Sequence, residues 1–139
     1  MALAEYLVDK SVWARLSKPA VREAFTPHAN RGLLATCAMV EMELLFSARN
    51  PRDRDRIRQQ LRAFEWLPCP DEIWERATQV QGELVNSGAH RSVKIPDLLI
   101  AAIAERHSVA VLHYDQDFDR ISKVTGQDVR WIVPAGTAD

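Results

Sequence analysis

Short, continuous apolar runs alternate along the chain with longer stretches of helical period, and this alternation restricts the fold more than any other feature. The first run is Tyr6, Leu7 and Val8, closing at Asp9, and a second lies around Leu33 to Met39. A third covers Trp66 to Cys69 before Pro70, a fourth Val109 to Tyr114, and a fifth Val129 to Val133 before Pro134. Strands apolar on both sides belong in a parallel sheet with helices on both faces. Between the runs, helical patterns cover Val40 to Arg49, Ile57 to Glu65, and Asp71 to about Asn86, where Gly88 ends the helix. Pro96 to His107 has Pro and Asp in its first turn, where both are favoured, and a last helix starts at Asp117 or its neighbours and ends near Gly126. These are βαβ units, so the expected fold class is α/β with a mainly parallel sheet of about five strands. With 139 residues, residues 1–139 are expected to form a single domain, because two cores of half that length would each bury too little surface.

Composition removes several classes. Apolar residues at 47% and charged residues at 27% suit a packed chain and not a disordered or fibrous one. Glu5 and Asp9 interrupt the N-terminal apolar residues, so no secretory leader is expected, and nothing approaches the roughly 20 apolar residues of a membrane span. Cys37 and Cys69 both fall in apolar runs and are expected to be buried free thiols, which suits a reducing, cytoplasmic setting with no membrane partner. There is no Walker loop, GxGxxG turn, CxxC pair, HExxH helix or Ser/His nucleophile motif, and His28, His90, His107 and His113 are too scattered for a zinc site.

What remains is a set of acids. In a parallel α/β sheet ligands bind beyond the carboxyl ends of the strands, so acids at strand ends or in the next helical turn converge there. Asp9 closes the first strand, Asp97 opens the helix after a basic loop, and Asp115 closes the fourth strand within HYDQDFD. Either Glu41 or Glu43 could add a fourth from the helix after strand two. They cannot share a site, because residues two apart on a helix point about 200° away from each other. Each acid has an ordinary structural use, as a cap, a turn residue or a solvated helix residue. Their joint placement at one end of the sheet favours a cation site, and an all-oxygen set suits Mg²⁺ or Mn²⁺ better than zinc.

The runs YLVDKSVW, VEMELLFSAR, KIPDLLIAAIAERH and VLHYDQDF, in this order and spacing, resemble the PIN-domain family, and specifically the VapC-type toxins of bacterial toxin–antitoxin pairs. The resemblance covers nearly the whole chain. It implies a PIN-like three-layer α/β/α sandwich and a metal-dependent endoribonuclease that cleaves single-stranded regions of structured RNA, with tRNA, rRNA or mRNA as the substrate. It implies catalytic, metal-holding roles for Asp9, Glu43, Asp97 and Asp115, with one or two Mg²⁺ (or Mn²⁺) ions and products bearing a 5′-phosphate and a 3′-hydroxyl. Glu43 is preferred to Glu41 because Glu43, Leu44, Ser47 and Ala48 match the family pattern. Ser11 and Asp117 take supporting roles, and Lys10 departs from the Thr common in the family, with its side chain expected on the opposite face of the strand. A VapB-type antitoxin and a homodimer are the implied partners, the antitoxin lying between apolar walls supplied by the helices of Ile57 to Glu65 and Asp71 to Asn86.

Net charge is only −1, so any attraction for RNA has to come from local patches. His90, Arg91 and Lys94 precede Asp97 and are expected to contact phosphate, and Arg49 opens a run with six arginines to two aspartates through Arg62. That run also has the character of a solvated helix laced with ion pairs. Trp13, Trp66, Trp74 and Trp131 read as core or interface anchors. Two other functions compete: a non-catalytic PIN-like module that binds RNA or protein, and a receiver domain. The receiver needs an Asp after the third strand, where this chain has WLPCP.

Overall fold

The computed structural model describes residues 2–139. Its elements run β1 (Tyr6–Val8), α1 (Lys10–Trp13), α2 (Pro19–Asn30), β2 (Leu34–Thr36), α3 (Ala38–Phe46), α4 (Pro51–Leu61) and β3 (Glu65–Trp66). Then follow α5 (Glu72–Asn86), a 3₁₀ turn at His90–Ser92, α6 (Ile95–Arg106), β4 (Ala110–His113), α7 (Gln116–Thr125) and β5 (Val129–Trp131). All four strand pairings are parallel, in the order β3-β2-β1-β4-β5. Tyr6, Leu7 and Val8 pair with Ala110, Val111 and Leu112, which sets the carboxyl ends of β1 and β4 side by side at the point where strand order reverses.

Alternate residues of the two central strands feed separate cores. Leu7 and Val111 face a core closed by α5, α6 and α7, with Ile73, Val80, Ile100, Ile103, Phe118 and Ile121. Tyr6, Val8, Ala110 and Leu112 face the other, closed by Val12 of α1 and by Val21 and Phe25 of α2. Both faces are therefore covered, as the unbroken apolar strands require.

The helices of the second layer were not among those expected. α1 is a single turn, and α2 is obscured by Pro27, which lies inside it and denies the Glu23 carbonyl its intrahelical donor. α4 begins at Pro51, six residues ahead of the expected Ile57, because Asn50 caps it by accepting from the Asp53 N–H at 2.9 Å. Since β1 stops at Val8, Lys10 is the first residue of α1, not a strand residue turned to the far face. Cys37 is buried just before α3, as expected of a free thiol, but Cys69 lies beyond β3 and is exposed. Trp13 packs edge-on against Phe25 and Phe64, and Trp131 against Tyr114, whereas Trp66 and Trp74 are half exposed. No helix among the described residues is long and apolar enough to cross a membrane.

Candidate active site

Every acid singled out lies at the carboxyl edge of the sheet. Asp9 caps α1: its Oδ2 accepts the Ser11 N–H at 2.9 Å, the ordinary structural use of an aspartate, while Oδ1 is buried without a partner. Asp97 occupies the first turn of α6 and is 2% exposed. Asp115 caps α7 through Oδ1, which accepts the Asp117 N–H at 2.9 Å. Glu43 projects from α3 with Oε1 buried and unpartnered, and Glu41 turns away to lie 3.6 Å from the Arg58 guanidinium, so Glu43 is the glutamate of the cluster.

Two overlapping groups result. Oxygens of Asp9, Glu43 and Asp97 lie within 4.8 Å of one another, and so do oxygens of Asp97, Asp115 and Asp117. In the first group Asp9 Oδ1, Glu43 Oε1 and Asp97 Oδ2 are all buried and lack a hydrogen-bond partner. Buried acceptors without donors are costly, and three converging ones suit a cation. The donors are all carboxylate oxygen, which fits a hard divalent ion and not zinc.

Burial first, and then repulsion from neighbouring carboxylates, raises the pKa of Glu43; Asp9 is also raised by burial, partly offset by its hydrogen bonds from Ser11. Burial, the contact with Asp117 and the charge of Asp9 push Asp97 up as well. Asp117 moves the other way. Burial alone would raise it, but hydrogen bonds from Asp97 and Lys94 outweigh that. His113, fully buried behind Asp115, is lowered by burial to about 4 and stays neutral, and its Nδ1 accepts the Asp115 N–H at 3.1 Å.

The model of the family described as "PIN domain" matches residues 6–124. The chain belongs to the PIN-domain family. Ribonuclease VapC21 of Mycobacterium tuberculosis is 48% identical to it over 134 residues, covering 96% of this chain and 97% of that protein. Ribonuclease VapC51 of the same species is 48% identical over the full length of both. Among solved structures, the DNA-bound VapBC of Salmonella typhimurium aligns with a TM-score of 0.74 at 19% identity, covering 94% of this chain and 100% of that one. VapBC-1 of nontypeable Haemophilus influenzae aligns with a TM-score of 0.75 at 18% identity, covering 91% and 97%. These structures match the parallel α/β architecture, and the sequence relatives place the chain in the VapC branch.

The basic residues of this PIN domain divide into distinct settings. Lys94 turns inward, its Nζ 2.9 Å from Asp117, 3.0 Å from Asp115 and 3.4 Å from Asp97. Although burial alone would lower its pKa, hydrogen bonds to Asp117 and Asp115 hold the ammonium above its ordinary value. Arg91 is exposed on the 3₁₀ turn with His90 half-buried beside it. Arg49 is bound to Asp53 at 2.8 Å, and Arg54, Arg56 and Arg58 also have carboxylate partners, so the arginine run is largely a paired helix face.

Two neighbours of the cluster were not legible in the sequence. Arg120 lies 3.3 Å from Asp117. Arg15 stacks on Tyr114, its guanidinium carbon 4.5 Å from the ring centroid, and donates to the Ser11 and Ala138 carbonyls at 3.0 Å each. Ser11 in turn accepts the Tyr114 N–H at 2.8 Å and donates its own N–H to Asp9, tying the ends of β1 and β4 together. Arg15→Ala is expected to cost about 1 kcal/mol, since two partly buried carbonyls lose their donor. A fall in the urea midpoint at constant slope would register it.

An apolar depression of about 360 Å³ is bounded by Lys10, Trp13, Leu44, Ile57 and Leu61 of α1, α3 and α4, and two of these residues, Lys10 and Leu44, adjoin Asp9 and Glu43 in sequence. α5 does not line it, and its Ile73, Ala77, Val80 and Leu84 are buried in the core.

Proposed function

We propose that this protein is a Mg²⁺- or Mn²⁺-dependent endoribonuclease toxin that cleaves single-stranded regions of structured RNA and is held inactive by a cognate VapB-type antitoxin. The observation that carries this reading is the trio of buried, unpartnered oxygens on Asp9, Glu43 and Asp97 in a chain 48% identical to named VapC ribonucleases.

Asp9, Glu43 and Asp97 would hold the divalent ion, with Asp115 completing the catalytic set at the mouth of the site. When bound, such an ion supplies Lewis-acid stabilisation of charge on the phosphoryl oxygens and makes water a stronger nucleophile. The chain's own side chains do the rest. Asp115 is 25% exposed and stands nearer solvent than the buried Asp9 and Asp97, so it would lie on the side from which RNA approaches the ion. Asp117 anchors Lys94, and Ser11 holds Asp9 against β4. Arg91 and His90, on the turn before α6, would meet the RNA backbone, and Arg49, exposed but paired, would add at most a peripheral contact. Hydrolysis would leave a 5′-phosphate and a 3′-hydroxyl.

The depression between α1, α3 and α4 suits an apolar segment of the antitoxin, which would lie against the acids and exclude RNA. Phe46 at 93% exposed and Met42 at 64%, both on α3, favour a homodimer of single PIN-like domains. A non-catalytic binding module has no comparable support, because it leaves the unpartnered buried carboxylates without a purpose.

Incubating the purified chain with total RNA and Mg²⁺, then with chelator and with Asp9→Asn, tests the proposal. Cutting is expected only without chelator and only with Asp9 intact. Cutting that survives both controls would overturn it.

A further inference from the structure

The two acidic groups differ in what already faces them. Asp9 Oδ1, Glu43 Oε1 and Asp97 Oδ2 have no hydrogen-bond partner. In the group of Asp97, Asp115 and Asp117, by contrast, one ammonium lies within ion-pair distance of all three carboxylates. Lys94 Nζ donates to Asp117 Oδ2 at 2.9 Å and to Asp115 Oδ2 at 3.0 Å, while Asp97 Oδ2 stands 3.4 Å away. The Lys94 backbone N–H also donates to Asp117 Oδ2 at 3.0 Å, so the residue is fixed at its root as well as at its tip.

We propose that Lys94 is a built-in second cation: the site takes one divalent ion, against Asp9, Glu43 and Asp97, and the Lys94 ammonium fills the place of a second. The inference rests on reading the acids as a divalent-ion site.

Three arguments carry it. First, a second divalent ion among Asp97, Asp115 and Asp117 would meet a like charge at contact distance, and Lys94 would have to leave and give up its hydrogen bonds. Second, one divalent ion with Lys94 and Arg120 brings four positive charges to the five carboxylates, so the cluster is nearly balanced without another ion. Third, an ammonium has three N–H donors, of which Asp115 and Asp117 take two. The remaining donor makes no hydrogen bond, Asp97 Oδ2 lying at the longer ion-pair distance of 3.4 Å, and the 58% exposed side chain leaves room for a phosphoryl oxygen to approach. Lys94 thus gives the site a fixed positive charge that does not depend on metal supply.

Calorimetric titration of the full chain with Mn²⁺ tests this through stoichiometry, with no need for turnover. Wild type and Lys94→Arg are expected to bind one Mn²⁺ per chain. Lys94→Met is expected to bind two, the second more weakly, because Asp115 and Asp117 lose their partner. Circular dichroism checks that each variant is folded, and Lys94→Gln replaces the Met variant should that one fail to fold. Two ions in wild type, or one in both wild type and the Met or Gln variant, would overturn the proposal while leaving the divalent site intact. No Mn²⁺ bound by any form would overturn both it and the divalent-ion reading beneath it.

Discussion

Replacing Asp97 with Asn is expected to abolish RNA cleavage and to make the metal-free protein more stable. Asp97 is the acid shared by both groups, and it is 2% exposed with an unpartnered oxygen. Losing Lewis-acid stabilisation on the order of 4 kcal/mol would slow cleavage about a thousandfold. The same change removes a buried acid that the metal-free fold must keep protonated at neutral pH and leaves an amide that can still hydrogen-bond to Asp117, a gain of about 1–3 kcal/mol. A Tm higher by about 3 °C or more follows for a chain of this size. Function at this site is therefore set against stability, as is common where charges are gathered for chemistry. A gel assay of RNA cleavage and a thermal melt in chelator check the two halves. A variant that is both inactive and less stable would point to a structural role for Asp97 instead.

The second large effect is stabilisation by the ion itself. A ligand present at a hundred times its Kd stabilises the folded state by about 2.7 kcal/mol, which raises Tm by roughly 8 °C here. The sign of its pH dependence follows from the raised Asp9, Glu43 and Asp97. Without metal, the folded chain holds protons on these acids that the unfolded chain releases above about pH 4, so their contribution to stability falls as pH rises toward neutrality. A divalent ion needs the deprotonated forms, so its stabilising effect should be largest at neutral pH and fade in acid. His113 acts oppositely: with its pKa lowered to about 4, the folded chain loses stability as pH falls from about 6.5 to 4. Subtracting the melts of Asp97→Asn from those of wild type, with and without Mn²⁺, isolates the acid contribution. An equal Tm increase in both proteins would contradict the assignment.

The strands were legible because Tyr6 to Val8 and Val109 to Tyr114 are apolar on both faces, and a doubly covered parallel sheet demands that pattern. Acids that close such strands, or that open a helix leading back into one, then had one place to go, so Asp9, Asp115 and Asp97 could be read from topology. Choosing Glu43 needed family resemblance, since Glu41 has the same apolar neighbours; the structure separates them through Arg58. α2 was hidden because a proline in its last turn breaks the usual signature, and packing against Tyr6, Val8 and Leu112 makes up for the lost bond. Lys94 looked like part of a basic surface patch with Arg91. Its inward turn depends on Asp117, 23 residues away, which no local pattern reveals. Arg15 gave no signal either, because its partners are backbone carbonyls and a distant ring.

RNA cleavage by this chain requires a hard cation at the point where Asp9, Glu43 and Asp97 converge. Crystals soaked in Mn²⁺ and measured for anomalous scattering test this directly. The account predicts a peak within coordination distance of Asp9 Oδ1, Glu43 Oε1 and Asp97 Oδ2. Well-ordered density for these three side chains with no peak between them, at saturating Mn²⁺ and neutral pH, would contradict it.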